Sequence, residues 1–418
     1  MLLKILSPVI VISFLVLIHE LGHFYLARRF GMHIQQFSIG FGPPIFQLTR
    51  NGTIYRIGVI LFGGYVAIKG VEPSDEPPTP DAFRAKPFSH RIVVLLSGSL
   101  FNLFSAYLVC MVSFLLTGIS VIPYTTVEQP AGAFHAGDVI LKVADKPVRY
   151  WDDFVKYTSI IPDSVIVTVL RDHDTVNVWY HKHDPLQPLI PPVIGAVKRD
   201  GPAWRAGLRI GDRIIAIDTI PIISWNTLVT TIRTYQPGDT VYVKFTRNDT
   251  IHTVSVVLGS QRILENGTLR NVAAMEILIP HQRIRLGLHA PVRAATEIWH
   301  MILLFFRILK QMLTHQLSPS LLGGPLSLIQ VTATTVGWGL SAILRLFYIL
   351  STQLAIFNLC PLPPLDGGLI FLTFIERMRH KPFTRKGYEL AQTIGWLLLI
   401  LLLIYVSYND IQRIFKLK

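Results

Sequence analysis

Residues 5–27 read ILSPVIVISFLVLIHELGHFYLA. The run is long and apolar enough to cross a hydrocarbon core of about 30 Å as a helix. It nevertheless contains His19, Glu20 and His23. Residues four apart share one face of a helix, so the two imidazoles can hold one zinc ion together, and Glu20 is placed to take a proton from an attacking water. Ionisable groups at membrane depth are costly and mark function. A metal-dependent hydrolase working inside a bilayer is therefore the leading reading. The plain alternative is a helix near a membrane surface whose histidines reach for the interface. The run is too long for a signal peptide and lacks a small-residue cleavage site.

Bulk properties agree with a membrane protein that has a sizeable soluble part. Half of the 418 residues are hydrophobic and 16% are charged, and the mean hydropathy is +0.45. The formal net charge of +13 is concentrated in two places. Arg28, Arg29, Arg50, Arg56, Lys69, Arg84, Lys86 and Arg91 lie between the first two apolar runs, and Arg377, Arg379, Lys381, Arg385 and Lys386 between the last two. Short loops rich in Lys and Arg favour the cytoplasm. No basic stripe interleaved with aromatics points to nucleic acid, which is excluded as a partner. Cys110 and Cys360 both stand in apolar surroundings, so no disulfide framework is expected.

Four stretches can span: residues 5–27, 92–119, 336–359, and 394–406 with its flanks. With both basic loops inside, both termini and residues 120–291 lie outside. Arg345 in the third span reads as a snorkelling side chain. Residues 52–70 (GTIYRIGVILFGGYVAIKG) alternate and are rich in β-branched and aromatic residues. They predict strands with a kink at Gly63-Gly64 rather than a helix. Such a sheet beside apolar helices could offer an edge to an extended substrate, or be a purely structural hairpin. Residues 71–80, rich in Pro, Glu and Asp, predict a loop.

The soluble region repeats itself. Gly137-Asp138, Ile140, Pro147 and Trp151 recur as Gly211-Asp212, Ile214, Pro221 and Trp225, and both copies run through a helical segment to strands ending near Arg171 and Arg247. Shared spacing over unlike residue types predicts two copies of one supersecondary unit. The second copy, PAWRAGLRIGD at 202–212, resembles the PDZ domain; the first is truncated before Gly137 and fits less well. Peptide binding there is implied by the resemblance, with a steric or structural role as the alternative. Residues 290–317 predict an amphipathic helix, set at the outer membrane surface or against the soluble domains. Gly323-Gly324-Pro325 then breaks the chain before the third span.

At the end of that span stands NLCPLPPLDGG, residues 358–368. Two histidines leave a catalytic zinc short of one protein ligand, and Asp366 can supply it. Prolines and glycines around it break the helix and free backbone groups. Read alone, the motif is a turn leaving the membrane with Asp as a polar cap.

Together these motifs closely resemble the site-2 family of intramembrane zinc proteases, in particular the bacterial regulator-of-sigma-E type with tandem PDZ domains. The resemblance covers nearly the whole chain: the H-E-x-x-H helix, the Gly63-Gly64 strands, Gly98-x-x-x-Asn102 in the second span, two PDZ-like units and the L-D-G helix. It implies a multi-span α-helical membrane protein with four transmembrane helices, a membrane-associated β-sheet and two inserted α+β PDZ-like domains. The expected regions are 1–122 (zinc-motif helix, sheet and second span), 123–190 and 191–280 (the two PDZ-like domains), 281–335 (surface helix and connection) and 336–418 (L-D-G helix and last span). It further implies Zn2+ held by His19, His23 and Asp366, Glu20 as catalytic base, and Asn358, Pro361, Pro363, Asn102, Gly63 and Gly64 as substrate or oxyanion contacts. The implied substrate is a single-span membrane protein, such as an anti-sigma factor already shortened by another protease. The implied location is the bacterial inner membrane, with the PDZ-like domains periplasmic and the active site near the cytoplasmic side.

Three other readings compete. An aqueous-facing zinc peptidase predicts a third ligand in a polar helix, which the sequence lacks. A non-catalytic scaffold predicts loss of Glu20 or Asp366, and both are present. A transporter, suggested by broken helices, has little room in four spans.

Overall fold

The computed structural model of the chain describes residues 2–74, 77–159, 163–182, 184–265, 268–319 and 322–415. Positions 75 and 76 of the acidic loop expected at 71–80 lie outside the described residues. The chain divides into two compact units: Met1–Leu116 with Gly287–Lys418, and Thr117–Leu286.

The first unit is built from helices α1 (Leu2–Arg29), α2 (Phe88–Thr117), α3 (Ala290–Leu313), α4 (Pro325–Thr335), α5 (Leu340–Asn358), α6 (Asp366–Arg379) and α7 (Arg385–Phe415). Four of them are long and apolar enough to cross a membrane, over Pro8–Arg29, Phe88–Thr117, Leu340–Asn358 and Arg385–Gln412. Each coincides with an expected span, because an isolated backbone in hydrocarbon must satisfy its own hydrogen bonds.

Between α1 and α2 lies a long hairpin, strands β1 (Ile34–Arg50) and β2 (Thr53–Ile68), paired antiparallel. The sequence reading found β2 and missed β1. Its signal was the Asn51-Gly52 pair, whose φ angles of 52° and 77° suit the two left-handed positions of a tight hairpin turn. The register is broken around Gly40 to Pro44, and Gln36–Ile39 face both Ile54–Ile57 and Gly64–Ala67. The expected kink is thus a fold-over of the whole ribbon. Gly63 has a φ of 105°, where a side chain would be strained. Phe24 of α1 packs edge-on against Phe37 and at a tilt against Tyr55. A core of Ala27, Met32, Ile34, Phe83, Val94 and Leu95 then joins α1, the hairpin and α2.

α3 has the expected amphipathic pattern. Its small face, Ala290, Ala294 and Ile298, is buried and the helix contacts α5, while Trp299, Leu303 and Phe306 are exposed. α4 was not expected. Gly324 and Ser327 donate their backbone N–H groups to the Asp410 carboxylate (3.1 and 3.0 Å), so a buried acid of α7 caps the first turn of α4. The orphan donors of a helix start need such an acceptor. The Pro325 at that start was the available cue.

A buried ion cluster ties α6 to α2. Glu376 of α6 accepts from Arg84 (2.6 Å) and from Arg91 of α2 (2.8 Å), and from the Phe383 N–H (3.0 Å). Burial pushes its carboxyl up, but the bonds from Arg91 and Arg84 outweigh that and hold it below the usual range.

The second unit contains two four-stranded sheets of the same connectivity. In the first, Val139–Val143 pairs with Lys146–Pro147 and Ser164–Arg171, which pairs with Asp174–His181. In the second, Arg213–Ile217 pairs with Ile220–Pro221 and Thr240–Arg247, which pairs with Thr250–Val257. The repeated Gly-Asp has a physical reason. Asp138 accepts from the His135 N–H and from both fork nitrogens of Arg171; Asp212 does the same with Arg209 and Arg247. Gly137 and Gly211 turn the chain into it at φ of 91° and 92°. The strands end at these arginines, as the spacing predicts. The short helix Pro202–Arg205 of the second copy has no counterpart in the first among the described residues. Leu186 packs on the first core and Ile190 on the second.

Candidate metal centre

α1 presents His19 and His23 on one face, both buried. Gly22 lies between them, and a Cβ there would sit 2.5 Å from the Ser97 carbonyl oxygen of α2. The glycine therefore lets the two helices touch. At the next residue of α2, a Cβ on Gly98 would sit 2.5 Å from His19 Cε1 and 2.7 Å from His19 Nε2, and would overlap His23 Nε2. The rings occupy the space a side chain would take.

Asp366 comes from far along the chain. α5 ends at Asn358, a proline-rich turn follows, and Asp366 opens α6. The two glycines after it are required by packing. A Cβ on Gly367 would overlap the Leu359 and Cys360 carbonyls, and one on Gly368 the Pro363 nitrogen. The turn is thereby folded onto the start of α6, which fixes where the carboxylate points.

The three side chains meet. His19 Nε2 lies 3.0 Å and His23 Nε2 3.2 Å from Asp366 Oδ2, and the two nitrogens are 3.1 Å apart. Among the described residues, these three form the group that could hold a metal ion. Asp366 Oδ2 is buried and receives no well-aligned hydrogen bond in spite of these contacts. Three lone-pair atoms thus converge on one point. Zinc bonded at about 2.0–2.1 Å to N and O ligands in a tetrahedron separates them by about 3.3 Å. The observed triangle matches that spacing, so the donor set fits zinc.

Surrounding groups orient the triangle. His23 Nδ1 lies 2.9 Å from the Val94 carbonyl oxygen of α2, so its proton sits on Nδ1 and the Nε2 lone pair is free. Asn102 and Asn358 amides approach His19, with Nδ2 atoms 3.4 Å from Nδ1 in each case. Glu20 stands beside the triangle on α1, close to the Val66 backbone of β2.

Not every expected site residue is at the centre. Gly63 and Gly64 lie three and two residues from Val66 along β2, and their close neighbours are Phe41 and the Ser38 carbonyl. Pro361 is exposed. The Pro363 backbone is wedged between Gly368 and Gly395 of α7. Sequence reasoning missed Val94 and the steric role of Gly98. The last was legible, since Gly98 and Asn102 are four apart and share a face of α2.

The sequence pattern of Peptidase family M50 matches residues 7–402. The chain belongs to peptidase family M50. It is a zinc metalloprotease of the site-2 type, located in a membrane. It is 28% identical over 447 residues to the regulator of sigma-E protease RseP of Escherichia coli, covering 98% of both chains. It is 28% identical over 444 residues to the zinc metalloprotease RasP of Geobacillus kaustophilus, covering 99% of this chain and 98% of that one. Among solved structures, a PDZ domain of an SdrC-like protein from Listeria innocua is 25% identical over 22% of this M50 chain and 97% of that one, with a TM-score of 0.18.

Proposed function

We propose that this M50 protease cleaves single-span membrane proteins within or near their transmembrane segment. One observation carries the reading. A carboxylate oxygen of α6 lies within 3.2 Å of two imidazole nitrogens on an apolar, span-length helix. His19, His23 and Asp366 would hold the zinc through Nε2, Nε2 and Oδ2. When bound, zinc lowers the pKa of a water toward about 7 and polarises a carbonyl. Glu20 takes the proton as the water oxygen attacks the peptide carbon, then delivers it to the amine nitrogen as the C–N bond breaks. Asn358 Nδ2, 3.3 Å from His19 Nε2, donates to the oxygen that becomes negative.

A substrate helix keeps its carbonyls bonded internally, so it must unwind before attack. Residues 64–68 pair with β1 on one side only among the described pairs. Their other edge holds an extended segment next to Glu20. The position of the site in the half of α1 that ends in Arg28 and Arg29 favours the cytoplasmic side of a bacterial inner membrane. The two repeats, each read as a PDZ-like domain, then lie on the periplasmic side. A membrane-anchored anti-sigma factor, taken after a first cut, is the substrate that agrees with a relative named regulator of sigma-E protease.

The test uses purified full-length protein in detergent, with zinc analysis and a single-span test substrate. Glu20→Gln is expected to keep wild-type zinc and lose about 10²–10⁴-fold in cleavage rate. Wild-type protein without zinc, or a glutamine variant cutting at the wild-type rate, rejects the mechanism.

A further inference from the structure

His19 can ligate through Nε2 only if its proton sits on Nδ1. That proton needs an acceptor, because a buried N–H without one costs about 1–3 kcal/mol. His23 meets the same need with the Val94 carbonyl, 2.9 Å from its Nδ1. Around His19 Nδ1 the groups at hand are two amides, Asn102 and Asn358, each with Nδ2 at 3.4 Å. A donor facing a donor is unstable. The two ends of an asparagine amide have nearly the same shape, so their assignment follows from the hydrogen bonds they make.

Asn102 is the one whose exchange resolves both problems. It is 0% exposed, and its Oδ1 is buried without a hydrogen-bond partner. Turning the amide over brings the carbonyl onto His19 Nδ1–H and takes the oxygen out of a place that offers it no donor. Asn358 suits this role less well, since its Nδ2 also lies 3.3 Å from Nε2, the ligating atom. Asn102 is also rigidly held. Ser351 of α5 donates to its backbone carbonyl at 2.8 Å, and Gly98, one turn earlier, brings α2 against both rings.

We infer that Asn102 is a positioning residue: its side-chain carbonyl accepts the His19 Nδ1 proton and sets the tautomer and plane of that ring. It does not donate to the substrate oxyanion, a role its complete burial opposes. This rests on His19 being a zinc ligand.

Aspartate separates the two roles, because a carboxylate accepts hydrogen bonds and cannot donate them. Full-length wild type, Asn102→Asp and Asn102→Leu are compared by zinc competition against a chelator, by cleavage of the single-span test substrate, and by melting of the zinc-free protein. Loss of the acceptor in Asn102→Leu is expected to weaken zinc about 10- to 100-fold, while Asn102→Asp keeps zinc affinity and cleavage within a few-fold of wild type. If the leucine variant gives no cooperative melt, Asn102→Ala replaces it with the same expected loss. Wild-type zinc affinity in the leucine or alanine variant overturns the inference. So does an aspartate variant that holds zinc but loses more than about 100-fold in kcat, as an oxyanion donor would. Failure of the parent reading looks different: wild-type protein binds no zinc, or His19→Ala binds it as tightly as wild type.

Discussion

Gly98→Ala is the sharpest test of how the metal centre is packed. A methyl group there would sit 2.5 Å from His19 Cε1 and 2.7 Å from His19 Nε2. Comfortable carbon contacts begin near 3.5 Å, so the rings or α2 must retreat by about 1 Å. Metal–ligand bonds tolerate about 0.2 Å, and a misplacement of about 1 Å at a reacting centre costs about 10²-fold in rate. Helix propensity runs the other way, favouring alanine by about 1 kcal/mol in a helix interior. The two effects separate stability from function. Zinc-free Gly98→Ala should melt within a few degrees of wild type, because the clash with the buried rings opposes the propensity gain. Its zinc affinity should fall at least about tenfold, and kcat/KM on a single-span test substrate about 100-fold. Zinc competition, calorimetry and cleavage assays read the three quantities. Full zinc affinity with wild-type kcat/KM would refute the claim that the imidazoles fill the space above Gly98.

Other consequences concern the ties around the site. Glu376→Ala removes the one carboxylate between Arg84 and Arg91 and strands two half-buried guanidinium groups, at a cost of about 3–5 kcal/mol. A melting curve within a degree of wild type would contradict it. In the second unit, Asp138 is held below the usual carboxylate range: burial pushes it up, and the Arg171 fork outweighs that push. A lowered pKa stabilises the fold above the unfolded value of about 3.9, and that gain is lost as pH falls through the folded value. Wild type should therefore melt above Asp138→Asn at pH near 6, with the gap closing as pH drops below about 4. A gap independent of pH removes the ion pair from the account.

How much of this was readable in the chain differs from element to element. Unbroken apolar length carried the four spans, because lipid demands apolar surface on every side and interrupts for nothing but function. The repeat was legible because Gly137-Asp138 and Gly211-Asp212 serve one local purpose, a turn whose carboxylate meets an arginine at a strand end. β1 escaped because Gly40, Gly42 and two prolines obscure its alternation, and α4 because its cap, Asp410, comes from α7. Local patterns do not show partners that distant.

By itself the sequence determined which atoms could bind a metal: two histidines one helical turn apart and a distant aspartate of matching chemistry. Only the tertiary structure decided that they share a point, that Gly98 leaves room for the rings, and that Asn102 is buried against His19. The reason is geometric. Helical spacing is fixed by covalent backbone rules within a few residues, whereas the approach of α6 to α1 depends on glycines and an ion cluster that pack helices far apart in the chain.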